Sequence, residues 1–198
     1  MVLPILAFDT SAAHCAAALL LPDRLILRDE PMDKGQAERL LPMLEEVLAE
    51  GGIAWSDLKA LAVGTGPGNF TGVRIAVAAA RGLALGLGIP AVGVTRLEAL
   101  AHGLPRPVTV IEDARRGQVY VQVFTASGAG AAHLAEGIIP SGPVTGSAAG
   151  AAALPPAMPL VEAIARIAAT RADTPQPRPA PFYLRGADAA PPSDPPPV

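Results

Sequence analysis

The sequence predicts an α/β fold built from two related halves, the second shorter than the first. Three observations carry this. Short apolar runs and helical stripes follow one another in the order β-β-β-α-β-α-β-α up to Ala101. After Pro105 a strand ending in acidic residues starts the pattern again, as an internal duplication would. In the first half an apolar strand runs straight into a glycine-rich turn and a helix, a geometry typical of parallel α/β sheets. Two α/β layers facing a cleft are expected.

Taken in order, residues 3–8 form a short apolar run, read as a buried strand that ends at Asp9. Asp9-Thr10-Ser11 turns the chain, residues 14–21 are a second apolar strand, and residues 25–28 alternate as a third. Asp33 with Gln36 three residues on reads as a capping box. Behind it Ala37, Leu40, Leu41, Leu44, Val47 and Leu48 share one helical face, with Pro42 inside the pattern and Gly51-Gly52 ending it. Trp55 is a packing anchor in the connector that follows. Residues 61–63 are the strand before the glycine turn. Residues 71–87 are a second helix closed by Gly88, residues 91–94 a strand, and Thr95 to Glu98 a capping box opening a third helix. In the second half, residues 108–111 are a strand ending in Glu112-Asp113. Residues 118–125 alternate Val119, Val121 and Val123 against Tyr120, Gln122 and Phe124. A strand over 133–139 and a helix over 160–170 are expected, with 141–159 too rich in Gly, Ala and Pro to assign. From Asp173 the chain is proline-rich, interrupted by Phe182-Tyr183-Leu184, which is expected to dock back on the body.

Composition narrows the function. The 198 residues are 51% apolar and only 4% aromatic, so the core is one of Ala, Leu, Val and Ile. The net charge of −3 argues against broad electrostatic binding to nucleic acid, which needs clustered Lys and Arg. The single cysteine, Cys15, excludes an internal disulfide and fits a buried strand position, and the chain reads as cytoplasmic. There is no signal peptide pattern, and the apolar stretch 73–94 is interrupted by Arg74, Arg81, glycines and Pro90, so no membrane role is expected.

The chemistry-bearing residues leave alternatives open. Asp9, Thr10 and Ser11 could hold a metal-bound phosphate, or satisfy the hairpin's own amides, which is the commoner use of such residues. The turn Gly64-Thr65-Gly66-Pro67-Gly68-Asn69 aims backbone N–H groups and a helix N-terminus at one spot. That suits an anion or a closely packed backbone. It lacks the Lys-Ser/Thr of a nucleotide loop and the spacing G-x-G-x-x-G. His14, His102 and His133 are isolated from one another, so no metal centre is expected; counting alone leaves Ser/His/Asp catalysis open, but there is no G-x-S-x-G elbow and no catalytic residue is assigned. Asp113-Ala114-Arg115-Arg116-Gly117 is either a ligand-pairing loop or a solvated turn. The second helix is apolar almost all round. Its far side needs a cover, from the first helix or from another protein chain.

Several of these segments together resemble one family. Leu6-Ala7-Phe8-Asp9-Thr10-Ser11 resembles its opening, and Gly66-Pro67-Gly68-Asn69-Phe70-Thr71-Gly72-Val73-Arg74 resembles its signature G-P-G-S-F-T-G-[LV]-R. The segment from Ile89-Pro90 to Ala101, the D-A-R motif at Asp113-Ala114-Arg115, and Phe182-Tyr183-Leu184-Arg185 also match in order. The family is TsaB, also called YeaZ, of bacterial tRNA threonylcarbamoyladenosine synthesis. The resemblance implies an actin/Hsp70-like duplicated fold, with an N-terminal α/β subdomain over 1–105, a shortened C-terminal one over 106–185 and a Pro-rich tail over 186–198. It implies a non-catalytic paralogue of TsaD that binds and stabilises TsaD through its first two helices, with Leu40, Leu41, Leu44, Val47, Leu48, Val73, Arg74, Val77 and Arg81 as partner-binding residues. TsaE would join the complex and tRNA would be met only through it. The protein would have no cofactor of its own, ATP and a metal being used by the partner subunits, and alone it would form a homodimer. Asp9, Thr10, Ser11, Gly66 and Gly68 would mark a vestigial nucleotide site. The alternative is an active ATP-binding enzyme of the same fold, and the least favoured reading is a glycoprotease-type peptidase. Two departures from the family stand out: Gln36 at a position often held by His, and a second half shorter than usual between Thr125 and Phe182.

Overall fold

The computed structural model describes residues 3–137 and 142–184. The distal end of the strand expected over 133–139, Ser141, Arg185 and the Pro-rich tail lie outside the described residues.

Strands β1 (Ile5–Asp9), β2 (His14–Leu20) and β3 (Leu25–Pro31) form an antiparallel meander. Helix α1 (Gln36–Gly51) and a single 3-10 turn at Trp55–Asp57 lead into β4 (Ala60–Gly64). Helix α2 (Phe70–Leu87), strand β5 (Ala91–Val94) and helix α3 (Arg96–Ala101) complete the first half. The sheet order is β3-β2-β1-β4-β5, with β4 and β5 parallel to β1. The second half contains β6 (Val108–Asp113), β7 (Val119–Thr125), β8 (Gly128–Ala129), β9 (His133–Ala135), β10 (Val144–Thr145) and α4 (Leu160–Ala169). Here β6 sits between an antiparallel β7 and a parallel β10, as β1 sits between β2 and β4. The duplication is therefore visible in the pairing, and the fold is a two-sheet α/β arrangement with an abbreviated second copy, in keeping with the expected actin/Hsp70-like duplication.

The first sheet is covered on both faces. Leu6, Phe8, Leu19, Leu61 and Val63 pack against α1 and α2, while Ile5, Ala7, Ala18 and Ala62 pack against α4. This explains why β1 and β4 are continuous apolar runs rather than alternating ones. Helix α4 thus belongs by sequence to the second half and by packing to the first sheet. Strand β7 is likewise packed on both faces. Val121 packs with Ile111 and Val144, and Phe124 packs with Leu97, Leu100 and Val110, so each face buries a side chain.

The start of α1 corrects the expected Asp33–Gln36 capping box. The N-cap is Gly35, at φ 93°, with no side-chain cap, and the Gln36 Nε2 amide instead donates to the Met32 carbonyl at 3.0 Å. By contrast, the Thr95 hydroxyl accepts from the Glu98 amide at 3.1 Å, as expected for α3. Arg39 ties α1 to the edge strand. Its guanidinium donates to Glu30 on β3 at 2.7 and 2.6 Å and to Glu46 at 2.7 and 2.6 Å, which holds both carboxyls below their usual range. Cys15 is fully buried on β2, and that burial pushes its thiol pKa up to about 11, as an inert core thiol should behave.

Candidate functional site

Parallel pairing of β1 with β4 puts Asp9 and Gly64 side by side at the carboxyl edge of the sheet. The two turns that follow therefore meet there. Asp9, Thr10 and Ser11 are all buried. Oδ2 of Asp9 accepts from the Ser11 amide at 3.1 Å and from the Ser11 hydroxyl at 2.9 Å, an Asx turn satisfying the hairpin itself. The Thr10 hydroxyl donates to the Gly72 carbonyl at 2.6 Å.

The glycines of the signature serve this close approach. A Cβ on Gly64 would overlap the Asp9 carboxylate, on Gly68 the Ser11 carbonyl, and on Gly72 the Thr10 carbonyl. Gly66 alone of the signature has a positive φ, 84°. Four of the amides at the turn and the helix start are already used. The Asn69 amide donates to the Ser11 carbonyl at 2.6 Å, those of Thr71 and Gly72 to the Asn69 side chain at 3.0 and 3.1 Å, and that of Val73 to the Asn69 carbonyl at 2.9 Å. Of the five residues expected at a vestigial nucleotide site, the structure brings all together, but as one backbone packed on another.

Sequence reasoning missed the partner of His14. The hairpin folds it back so that its Nε2 lies 2.8 Å from Asp9 Oδ2, with its Nδ1 3.3 Å from Asp29 Oδ1. Burial pulls its pKa down. The hydrogen bond to Asp9 and the charges of Asp9 and Asp29 more than offset this, against a small opposing push from Arg96, and the net result is a raised value. The signal available was the hairpin length, which sets residues 9 and 14 close together, rather than any spacing among histidines. Arg96 then links the halves. Its amide donates to the Gly66 carbonyl at 2.7 Å and its Nε to Glu112 at 2.6 Å, while Glu112 also accepts from the Ser147 amide at 2.6 Å.

On the outer side the C-terminal segment straps the turn, as expected for the Phe182-Tyr183-Leu184 interruption. The Phe182 amide donates to the Thr65 carbonyl at 2.8 Å. Arg74 Nε donates to the Tyr183 hydroxyl at 2.9 Å, and its guanidinium lies 3.5 Å from the centre of the Phe70 ring.

Burial redraws the candidate partner residues. Leu40, Leu44, Val47, Leu48, Val73 and Val77 form the core under α1 and α2 and cannot touch another chain. An apolar stripe marks what a helix buries at home. Only Leu41, Arg74 and Arg81 face outward. The outward face of α2 instead presents Ala78, Gly82, Leu85 and Gly86, with Leu85 80% exposed. By length and composition α2 alone among the described helices is apolar enough to cross a membrane, yet Val73, Ala76, Val77 and Ala80 pack it onto the sheet. Among the described residues no group of three or more His, Cys, Asp or Glu is placed to hold a metal.

A family model described as TsaD, tRNA N6-adenosine threonylcarbamoyltransferase, matches residues 30–188. The chain is 40% identical over 121 residues to the tRNA threonylcarbamoyladenosine biosynthesis protein TsaB of Escherichia coli, a match covering 59% of this chain and 52% of that protein. Bacillus subtilis TsaB is 39% identical over 127 residues, covering 61% and 54%. The solved structure of YeaZ from Pseudomonas aeruginosa superposes with a TM-score of 0.75 at 29% identity, covering 91% of this chain and 99% of that one. The chain belongs to the TsaB (YeaZ) family. A second Pseudomonas aeruginosa structure, described as similar to peptidase YEAZ, matches at a TM-score of 0.73 and 30% identity, covering 92% and 99%. The alignments span about half the length of the curated TsaB relatives, so the shared fold is better covered than the shared sequence.

Proposed function

We propose that this chain acts in the cytoplasm as a non-catalytic subunit, binding and stabilising TsaD in the complex that makes threonylcarbamoyladenosine in tRNA. TsaE is the further partner, tRNA is met through the complex, and ATP and metal are used by the partner subunits rather than at this glycine turn. One observation carries the reading: an apolar helix whose outward face none of the described residues covers. On α2, Ala78, Gly82 and Gly86 follow at four-residue spacing, with open space where a Cβ would stand at both glycines. Leu85 projects beside them, and Leu41 of α1 is 46% exposed. Small residues allow a partner helix to come close, and an exposed leucine supplies the apolar anchor. The same face accounts for a homodimer when the chain is alone.

The test is a charge on that face. Leu85→Glu should leave the melting temperature of the monomer unchanged and weaken co-elution with the cognate TsaD at least tenfold, roughly 1.4 kcal/mol. Undiminished binding by Leu85→Glu would remove this face from the interface. A charge at Leu44 could not serve, because that side chain is fully buried and the substitution would unfold the chain. Gly82→Ala adds a sharper sign. As a Gly-to-Ala change in an open helix interior it should stabilise the monomer by about 0.5–1 kcal/mol while loosening the association.

A further inference from the structure

On the opposite face of the first sheet from α1 and α2, a cavity of about 350 Å³ opens between α3, α4 and the β7–β8 hairpin. Its wall includes Glu98, His102, Arg106, Phe124, Ile167 and Arg171. We propose that this cavity binds a small organic oxyanion, a carboxylate or a phosphate, through Arg106.

The charges in the wall are unevenly matched. Arg171 is paired with Glu98, one of its bonds measuring 3.2 Å, and outside the wall Arg166 is paired with Glu162 at 2.7 Å. Arg106 has no acidic partner among the described residues. One of its N–H groups donates to the Ala101 carbonyl at 2.8 Å, and the guanidinium lies 5.3 Å from the centre of the Phe124 ring. That holds the head in place and leaves further donors of its fork for a carboxylate or phosphate, the geometry Arg matches best. His102 reports the same surplus. Burial lowers its pKa first, and Arg106, Arg166 and Arg171 push the same way against the single opposing charge of Glu98. A bound anion would relieve that repulsion. The nearly buried Phe124 and Ile167 form the floor of this open depression, and its volume lies at the small end of ligand sites, roughly 300–1,000 Å³.

The full chain, titrated separately with methyl phosphate and with propanoate against a chloride control, provides the test. Shifts of the His102 ring and Arg106 side-chain signals should saturate with a Kd on the order of 1–10 mM. Saturation by one anion and not the other identifies the source as phosphate or carboxylate. Arg106→Gln should weaken binding at least tenfold, and the bound anion should raise the His102 pKa. That last shift is read on the unaltered protein, so it stands even if Arg106→Gln folds poorly. Shifts that never saturate with either anion, or a His102 pKa unmoved by both, would overturn the proposal.

Discussion

Gly72→Ala is expected to destabilise the protein by about 3 kcal/mol, which for a chain of this size lowers the melting temperature by roughly 6–12 °C. Two effects compete at this position. Gly72 lies in the first turn of α2, where alanine is intrinsically better than glycine by about 0.5–1 kcal/mol. Against this, the new Cβ would fall inside the carbonyl oxygen of Thr10. That neighbour is backbone, and it has little room to yield. Thr10 is completely buried, its hydroxyl is fixed on the Gly72 carbonyl, and Asp9 before it is paired in β1. Either α2 moves off the hairpin or the hairpin leaves its register, and overpacking wins over propensity. Gly82→Ala in the same helix is the control, because nothing lies near its Cβ and only propensity acts. Urea unfolding of both variants should give opposite signs. Equal effects would mean that the signature glycines are not there for close packing.

The same contrast shows what could be read from the sequence and what could not. The strands of the first sheet were legible because a strand buried on both faces is a continuous apolar run, and Ile5 to Phe8 and Ala60 to Val63 are such runs. The glycine turn was legible as a strand-to-helix junction, and the choice between an anion and a packed backbone depended on Thr10 and Ser11, which reach it only through sheet pairing. Helical periodicity put Leu40, Leu44, Val47 and Leu48 of α1 on one face, and all four are buried, whereas Ala37 and Leu41 of the same stripe are exposed. It gave no inner side for α2, and the partner residues implied by the family resemblance, Leu44 and Val77 among them, lie inside. Leu85 and Gly82 break no pattern and could be singled out only once the sheet defined inside and outside. The second half was hard to read because β8, β9 and β10 are only two or three residues long, too short for any period to show. The N-terminus of α1 was misplaced because several polar residues compete there, and the positive φ of Gly35 decided between them.

Asp9→Asn should reverse the sign of the pH dependence that His14 gives to folding. In the native chain the His14 pKa is raised above its ordinary value near 6.5. Between that value and the folded one, the folded protein holds a proton that the unfolded chain has lost. The contribution is therefore fully present below pH 6.5 and disappears as pH rises through the folded pKa. Asparagine keeps the size of the side chain and an acceptor for Ser11, but removes both the charge and the ionic hydrogen bond to His14. Burial and Arg96, which lower the His14 pKa, are then opposed only by the partly exposed Asp29. The folded pKa should drop below 6.5, and the contribution should instead be lost as pH falls toward the folded value. Each unit of difference from the unfolded pKa is worth about 1.4 kcal/mol. Titration of the His14 ring by NMR reads the pKa directly, and urea unfolding at intervals from pH 5 to 9 reads the slope. Asp9→Ala goes further, stranding the Ser11 amide, the Ser11 hydroxyl and a buried imidazole at once, and should cost about 3–5 kcal/mol. If His14 titrates unchanged in Asp9→Asn, the pair is incidental, and the carboxylate serves the Asx turn alone.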